Sequence, residues 1–478
     1  MGWSLPPVDK KVSVQGGSPW VYLLIIVVVI IIAALFVIIG VPLQNIPSYS
    51  AEYWLALSLR LSGIMLFASM IYSLWWEIRV TLVWNWNQWQ RNMCEMWYQY
   101  RSQYRVLVDH EFIGACGPPA NVLTRQDPDD LAEASHNLWS DQPVTPGINR
   151  FGKISGYLLM QMVPKIQQRY PAGPLKIVIQ TSVSDQENER ALFLQVSQSL
   201  LLPWQISLQF QSPESAFSDW NQLLSGCQDP ILLLAMHYRQ PQEKQPEFGC
   251  AFLLHPPTGL VSVEAKNALR LFRAMPIELT DFAGELQEFR GETRPAQQRN
   301  TLFWFSGLPK IHQLSIQRIL NELQLPLDIE IGNGGIIDYD SHFANYGALA
   351  GWAMVATAAQ IAITRTVDQW LMLAMDQQAW GVMLTRQKPL PYQDSDILLP
   401  PVPVGSLMLA MFINTLLGYW LYYTFPERLF SWTGLFCLMI SLAVTLSGIP
   451  FLLRKMISRI QYPSFIKAAQ QSTKEYPR

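Results

Sequence analysis

Asp338, Asp340 and His342 stand two residues apart, and that spacing is the best local case for chemistry in this chain. On a β-strand, residues two apart share a face. Two carboxylates and an imidazole on one face have the ligand chemistry of a divalent-metal site. Glu330 lies nearby, and Gly332, Gly334 and Gly335 allow a tight turn between. The competing reading is a solvated loop after a glycine turn, with an Asp capping the helix that follows. His237 closes the apolar run Pro230–Met236, and His255 closes Gly249–Leu254. Ligands of α/β sheets collect at strand ends, so both are candidates for a ligand or partner face. A lone His there is otherwise structural. Cys227, in Ser225-Gly226-Cys227, reads as an inert turn cysteine, because a nucleophilic Cys needs a base and an oxyanion site.

Other signatures are missing. The sequence has no GxSxG elbow, no GxxxxGK[ST] loop, no GxGxxG and no HExxH. Lipase and NTPase readings are therefore disfavoured. No cofactor is expected and no metal is assigned beyond the three weak candidates. The five cysteines, Cys94, Cys116, Cys227, Cys250 and Cys437, are odd in number and contain no CxxC, which argues against a disulfide scaffold or structural zinc.

Composition sets the frame around these residues. Of 478 residues, half are apolar and 15% are charged. The charged share is far below the roughly 25% of a soluble domain, and lipid-facing sequence explains the deficit. The net charge of −2 excludes the basic excess of a nucleic-acid binder. Residues 19–41 form an uncharged apolar run long enough to cross a bilayer and too long for a signal peptide. A second run covers 53–76, with Arg60 near one end and Trp75 and Trp76 at the other. Runs at 404–424 and 431–453 form a hairpin around Phe425-Pro426-Glu427-Arg428. These spans hold few buried polar groups beyond Arg60 and Asn414, which disfavours transport.

Lys10 and Lys11 precede the first span. Arg79, Arg91, Arg101 and Arg105 follow the second, and Arg454, Lys455, Arg459, Lys467, Lys474 and Arg478 follow the fourth. The loop 42–52 has neither Lys nor Arg. By the positive-inside rule, both termini and the central domain face the cytoplasm of a bacterial inner membrane. The expected organisation is a tail at 1–18, a helix pair at 19–76 and an aromatic-rich connection at 77–150. An α/β domain at 151–388 follows, then a Pro-rich linker at 389–403, a helix hairpin at 404–453 and a basic tail at 454–478.

In the connection, aromatics Trp84 to Tyr104 read as a helix, either along the membrane surface or packed on the soluble domain. Residues 114–150 read as loop with a short helix near Asp129–His136. Within the domain, strands are expected at Leu175–Thr181, Trp204–Phe210, Pro230–Met236, Gly249–Leu254, Thr301–Phe305 and Leu327–Ile331. Helices are expected at Asp185–Leu201, from Ser212-Pro213-Glu214 onward, at Glu264–Ala274 and at His312–Leu323. Residues 347–363 read as a buried core helix rather than a fifth span. Alternation of this kind implies a layered α/β domain, here flanked by two transmembrane helix pairs.

Two stretches resemble the thiolase-like (ketoacyl synthase) fold. Asp229–Met236 with Glu247–Leu254 looks like its paired core strands. Ser341–Gly351 (SHFANYGALAG) is similar to its glycine-rich entry into a buried helix. On that resemblance Asn345 stands where the enzymes have a catalytic His, and no catalytic Cys matches. This implies a degenerate copy of the fold used for binding. The arrangement also resembles the type VI secretion lipase-adaptor family, which helps load phospholipase toxins onto a secretion spike. The features are an N-terminal membrane anchor and segments such as Pro174–Thr181 and Trp204–Phe210. That resemblance implies a non-enzymatic accessory protein whose partners are a secreted toxin or secretion component and the lipid bilayer, with no nucleic acid and a homodimer allowed. The alternative is a membrane-associated enzyme acting on acyl or lipid-linked substrates.

Overall fold

The computed structural model describes residues 8–14, 16–39, 50–114, 138–139, 149–182, 186–211, 217–218, 220–226, 228–238, 245–257, 268–291, 300–343, 345–375, 378–389, 399–425, 427 and 431–475. Cys116, Cys227, the helix expected at Asp129–His136, Ser212-Pro213-Glu214 and most of the first part of Glu264–Ala274 lie outside these residues. The chain divides into two compact units. One holds Tyr98–Tyr392, and the other holds Leu5–Trp97 and Gln393–Arg478.

The first unit is built on one sheet of eleven strands: β1 (Tyr104–Gly114), β2 (Pro174–Thr181), β3 (Gln205–Gln211), β4 (Ile231–His237), β5 (Phe248–His255), β6 (Leu269–Phe272), β7 (Met275–Glu278), β8 (Thr301–Ser306), β9 (Ile336–Asp338), β10 (Asp368–Met375) and β11 (Gln378–Thr385). Their order is β3-β2-β4-β5-β1-β6-β11-β10-β8-β9, with β7 beside β11. This order contains a repeat. In chain order, β1 to β5 occupy positions third-second-fourth-fifth-first from the edge inward. The set β6, β8, β9, β10, β11 does the same from the other edge. The second strand is parallel to the third and fourth in both halves, and the fifth is antiparallel to its neighbours. The halves join where β1 and β6 pair antiparallel.

The repeat places buried arginines at equivalent points, Arg105 on β1 and Arg270 on β6. A charge in such a position needs hydrogen-bond partners. Arg105 donates to the carbonyls of Asp229 and Leu223, and Arg270 donates to those of Ala268 and Arg386. Arg105 thereby satisfies a carbonyl in the last turn of helix α5 (Trp220–Gly226).

Strand alternation separates two faces. Ile231, Leu233 and Ala235 of β4, with Leu302 and Trp304 of β8, pack in one cluster with α9 (Ala350–Thr364) and with Trp220 and Leu223 of α5. Leu232, Leu234 and Met236 face α3 (Arg150–Arg169) and α4 (Gln186–Ser199). Phe303 and Phe305 face α6 (Phe282–Gly291) and α7 (Lys310–Glu322). The result is a layered α/β unit. Helix α9 is buried along nearly its whole length inside it, so the run 347–363 is core. Leu269–Phe272, expected within a helix, is strand β6. The expected strand Leu327–Ile331 reduces to a single parallel bridge, Leu327 to Thr301.

The second unit is helical: α1 (Pro19–Ile39), α2 (Ala51–Arg101, of which the part up to Trp97 belongs here), α10 (Val404–Thr424) and α11 (Trp432–Glu475). All four are long and apolar enough to cross a membrane. At 1.5 Å per residue, the 51 residues of α2 rise about 76 Å and the 44 of α11 about 66 Å. Both far exceed the roughly 30 Å of a bilayer's hydrocarbon core. The aromatic connection beginning at residue 77 is therefore a continuation of α2, not a separate surface helix. Its Trp86 and Trp89 pack on Phe465 and Tyr462 of α11, with centroids 5.2 Å apart. Trp86 also lies under the Lys11 ammonium.

Candidate active site

Strands β2 and β4 run parallel, from Lys176 beside Ile231 to Thr181 beside Met236. They therefore end together. The residues that follow are Ser182 after β2, with His237 as the last residue of β4. The Ser182 hydroxyl and the His237 Nδ1 share a hydrogen bond of 2.6 Å. His237 is buried, and Ser182 is partly exposed. A hydroxyl within hydrogen-bond reach of an imidazole meets one geometric requirement of a nucleophile and its base.

Alternation fixes what surrounds the pair. Gln180 precedes Ser182 by two and so shares its face. The Gln180 Oε1 accepts the indole N–H of Trp352, on α9, at 2.6 Å. Trp352 is itself held edge-on by Phe217 and Trp220. Thr181 and Tyr238 point to the opposite face. There the buried Glu189 of α4 accepts from the Thr181 hydroxyl at 3.0 Å and from the Tyr238 hydroxyl at 2.6 Å. A second buried carboxylate, Glu247, takes two bonds from Arg150, at 3.0 and 2.5 Å, and one from the Leu138 amide at 2.8 Å. It fixes the start of α3, whose N-cap Asn149 accepts from the Gly152 amide.

Of the residues singled out in the sequence, only His237 belongs to this site. His255 ends β5, which runs antiparallel to β4, so it lies at the far end of the pair, about 20 Å along the strands. Its Nδ1 meets the Pro256 carbonyl at 2.6 Å and its ring stacks on Tyr170. Asp338, Asp340 and His342 do not share a strand face. Strand β9 stops at Asp338, and Tyr339–His342 is a helical turn, α8. The Asp340 carboxylate accepts from the Ser306 hydroxyl and the Gly307 amide, both at 2.7 Å. Burial raises the Asp340 pKa, against those two hydrogen bonds. The His342 ring meets the Asp338 backbone carbonyl at 2.8 Å. Glu330 pairs with Arg365 at 3.0 Å. Among the described residues, no group of three or more His, Cys, Asp or Glu side chains could hold a metal ion. Asn345 turns its side-chain oxygen to the Gly347 amide at 2.8 Å, which secures the left-handed Gly347 at the approach to α9.

Ser182, Glu189 and Tyr238 were not picked out from the sequence. The available signal was that one apolar strand, LKIVIQT, is followed by Ser182 and another, ILLLAMH, ends in His237. Nothing local says they are neighbours, because β3 lies between them in the chain.

No protein-family model and no curated protein matches the chain. Solved structures do resemble it. The type II polyketide synthase complex AntDE:AntF, of an acyl-carrier protein with its ketosynthase, is similar over 60% of this chain and 100% of that one, at 11% identity and a TM-score of 0.40. OleA of Xanthomonas campestris covers 59% and 99%, at 12% identity and 0.36. AbyA1, a tetronic acid condensing enzyme, covers 59% and 99%, at 13% identity and 0.36. The expectation of a non-enzymatic secretion adaptor is corrected: nothing among these findings supports the type VI secretion family, and the similar structures are described as a ketosynthase complex and a condensing enzyme.

Burial holds the His255 pKa below the ordinary imidazole value, opposed by its bond to Pro256 and reinforced by Arg105. Burial does the same to His110. Each binds its proton more readily in the unfolded chain, so their contribution is complete above about pH 6.5 and is lost below it. Thermal melts of the purified protein should be level from pH 8 to 7 and fall from pH 6.5 to 5. His255→Gln should flatten part of that slope. A slope unchanged in both His255→Gln and His110→Gln would contradict the assignment.

Proposed function

We propose that this chain is a membrane-anchored enzyme that transfers or hydrolyses acyl groups, acting on acyl or lipid-linked substrates. The observation that carries the reading is the 2.6 Å hydrogen bond between Ser182 Oγ and His237 Nδ1 at the shared end of two parallel strands. Strand ends of this kind are where α/β sheets bind ligands. In this reading the anchor is the four helices of the second unit, each long and apolar enough to cross a membrane.

In the proposed reaction Ser182 Oγ attacks the acyl carbonyl while His237 takes the hydroxyl proton. The bond from the carbonyl to the leaving group breaks, and His237 returns the proton to the departing alcohol or thiol. The acyl group then rests on Ser182 as an ester. Water or an acceptor alcohol, deprotonated by the same imidazole, releases it.

The test uses full-length protein in detergent with p-nitrophenyl acyl esters of graded length and a fluorophosphonate probe. Ser182 should be the labelled residue. Ser182→Ala should abolish labelling and turnover. His237→Gln should lower turnover by about 10²–10⁴-fold, the range for loss of a general base. A Ser182→Ala protein that labels and turns over like the wild type would overturn the reading.

A further inference from the structure

The parallel ladder that brings the site together weakens where it matters most. Among the described residues, register pairing between β2 and β4 runs to Thr181 and Met236. The backbone bond from the Ser182 amide to the Met236 carbonyl is long at 3.4 Å, against about 2.9 Å for an ordinary one. Ser182 and His237 therefore stand where the described ladder is weakest. A side-chain bond of 2.6 Å between them needs something else to hold the strand ends at that separation.

Glu189 is placed to do so. Thr181 is the covalent neighbour of Ser182, and Tyr238 is the covalent neighbour of His237. One oxygen of the Glu189 carboxylate accepts from the first, and the other oxygen accepts from the second. A single carboxylate thus spans both strands on the face opposite the reacting pair. Glu189 is only 2% exposed, and a buried carboxylate is retained only where hydrogen bonds compensate it. Its place in the first turn of α4 adds the favourable end of the helix dipole. The helix gives the carboxylate a fixed base, and Tyr238 is packed from the side by Phe151 of α3, centroids 6.0 Å apart.

We propose that Glu189 is a positioning residue for the Ser182–His237 pair, setting their separation by clamping Thr181 and Tyr238. This rests on the enzymatic reading of the pair. Glu189 touches neither reacting atom. Its effect passes through one covalent bond on each strand. A glutamine in its place presents one acceptor and one donor, so it cannot take both hydroxyl protons, and one arm of the clamp must reverse or open.

The experiment compares full-length wild type, Glu189→Gln, Glu189→Asp and Tyr238→Phe, each checked for its melting temperature. Two readouts are taken: the second-order rate constant for fluorophosphonate labelling of Ser182, and kcat and KM on one p-nitrophenyl acyl ester. Glu189→Gln should lower labelling and kcat about tenfold or more, with KM within twofold of wild type. Glu189→Asp should recover part of the loss, and Tyr238→Phe should fall between wild type and Glu189→Gln. Loss of kcat and rise of KM in step with melting temperature would mark a merely structural role and overturn the proposal. So would a Glu189→Gln protein labelled at the wild-type rate. Should Glu189→Gln fail to fold, Tyr238→Phe decides alone, because it removes one hydroxyl and no charge: an unchanged labelling rate overturns the clamp. Wild-type protein in which Ser182 is not labelled defeats the enzymatic reading and the clamp with it, whereas normal labelling in every variant defeats the clamp alone.

Discussion

Trp352→Ala should unfold the α/β unit at temperatures where the wild type is intact. The indole lies in the first turn of α9, fully buried, in contact with Phe217, Trp220 and Phe252. Removing a side chain of that size from a packed core costs about 3–5 kcal/mol. The same change strips Gln180 of its 2.6 Å donor. A buried acceptor left unmade costs about 1–3 kcal/mol more. Domains of this kind hold only about 5–15 kcal/mol in total, so the two losses together consume most of it. Trp352→Phe separates them. It keeps most of the bulk and loses the N–H, so it should fall well short of the alanine variant. Thermal or urea unfolding followed by tryptophan fluorescence reads both. A phenylalanine variant within about 0.5 kcal/mol of wild type, the scatter of a neutral substitution, would show that the Gln180 bond adds nothing.

Trp352 also shows which parts of the fold the sequence made legible. The run 347–363 is dense in Ala and Gly with one large ring, and burial on all sides is what such a run needs. Strands β4 and β5 were equally plain, because each is apolar up to its terminal His and each is buried at every position. Strand β6 was not. Leu269-Arg270-Leu271-Phe272 carries a charge, and a charge argues against a central strand. The structure accommodates it by turning the guanidinium onto two carbonyls, which no local pattern announces. The reacting pair was hidden for a topological reason. Ser182 and His237 meet only because the second strand of the repeat lies beside the fourth, while the third, adjacent in sequence, goes to the edge. The shared strand face expected of Asp338, Asp340 and His342 is absent for a reason of shorter range. A spacing of two has meaning only while the backbone stays extended, and the strand ends at the first of the three.

The helical unit carries the second large effect. On α2, Ser73, near the end of the expected span 53–76, and Glu77 and Thr81 just beyond it are fully or almost fully buried at successive i, i+4 positions, a single line along the helix. Ser73 meets the Tyr22 hydroxyl of α1 at 2.8 Å. Glu77 meets the start of α10. Its two oxygens accept the Ser406 amide at 2.7 Å and the Ser406 hydroxyl at 2.8 Å. Ser406 is the third residue of α10, so its amide is one of the donors that a helix leaves unsatisfied. A carboxylate there also lies at the positive end of the helix. Gly405 makes the approach possible. A Cβ at that position would lie 2.4 Å from the Leu74 backbone nitrogen and Cα.

Gly405→Ala should therefore separate α10 from α2. The obstacle is backbone against backbone, which no rotamer change relieves, and overpacking of this kind costs about 1–3 kcal/mol or more. Once the helices part, Glu77 loses both donors, and a buried charged group without its hydrogen bonds costs a further 1.5–3 kcal/mol or so. Ser406→Ala removes one donor and should cost less than Gly405→Ala. The double variant Gly405→Ala with Glu77→Ala should lose less than the sum of the two single losses, because the glycine change has already broken what the carboxylate would have held. Unfolding of the purified full-length protein in detergent by added SDS, followed by circular dichroism, measures all four. Strict additivity, or a Gly405→Ala protein as stable as wild type, would mean that the helices do not touch at Leu74. The buried carboxylate would then need another explanation.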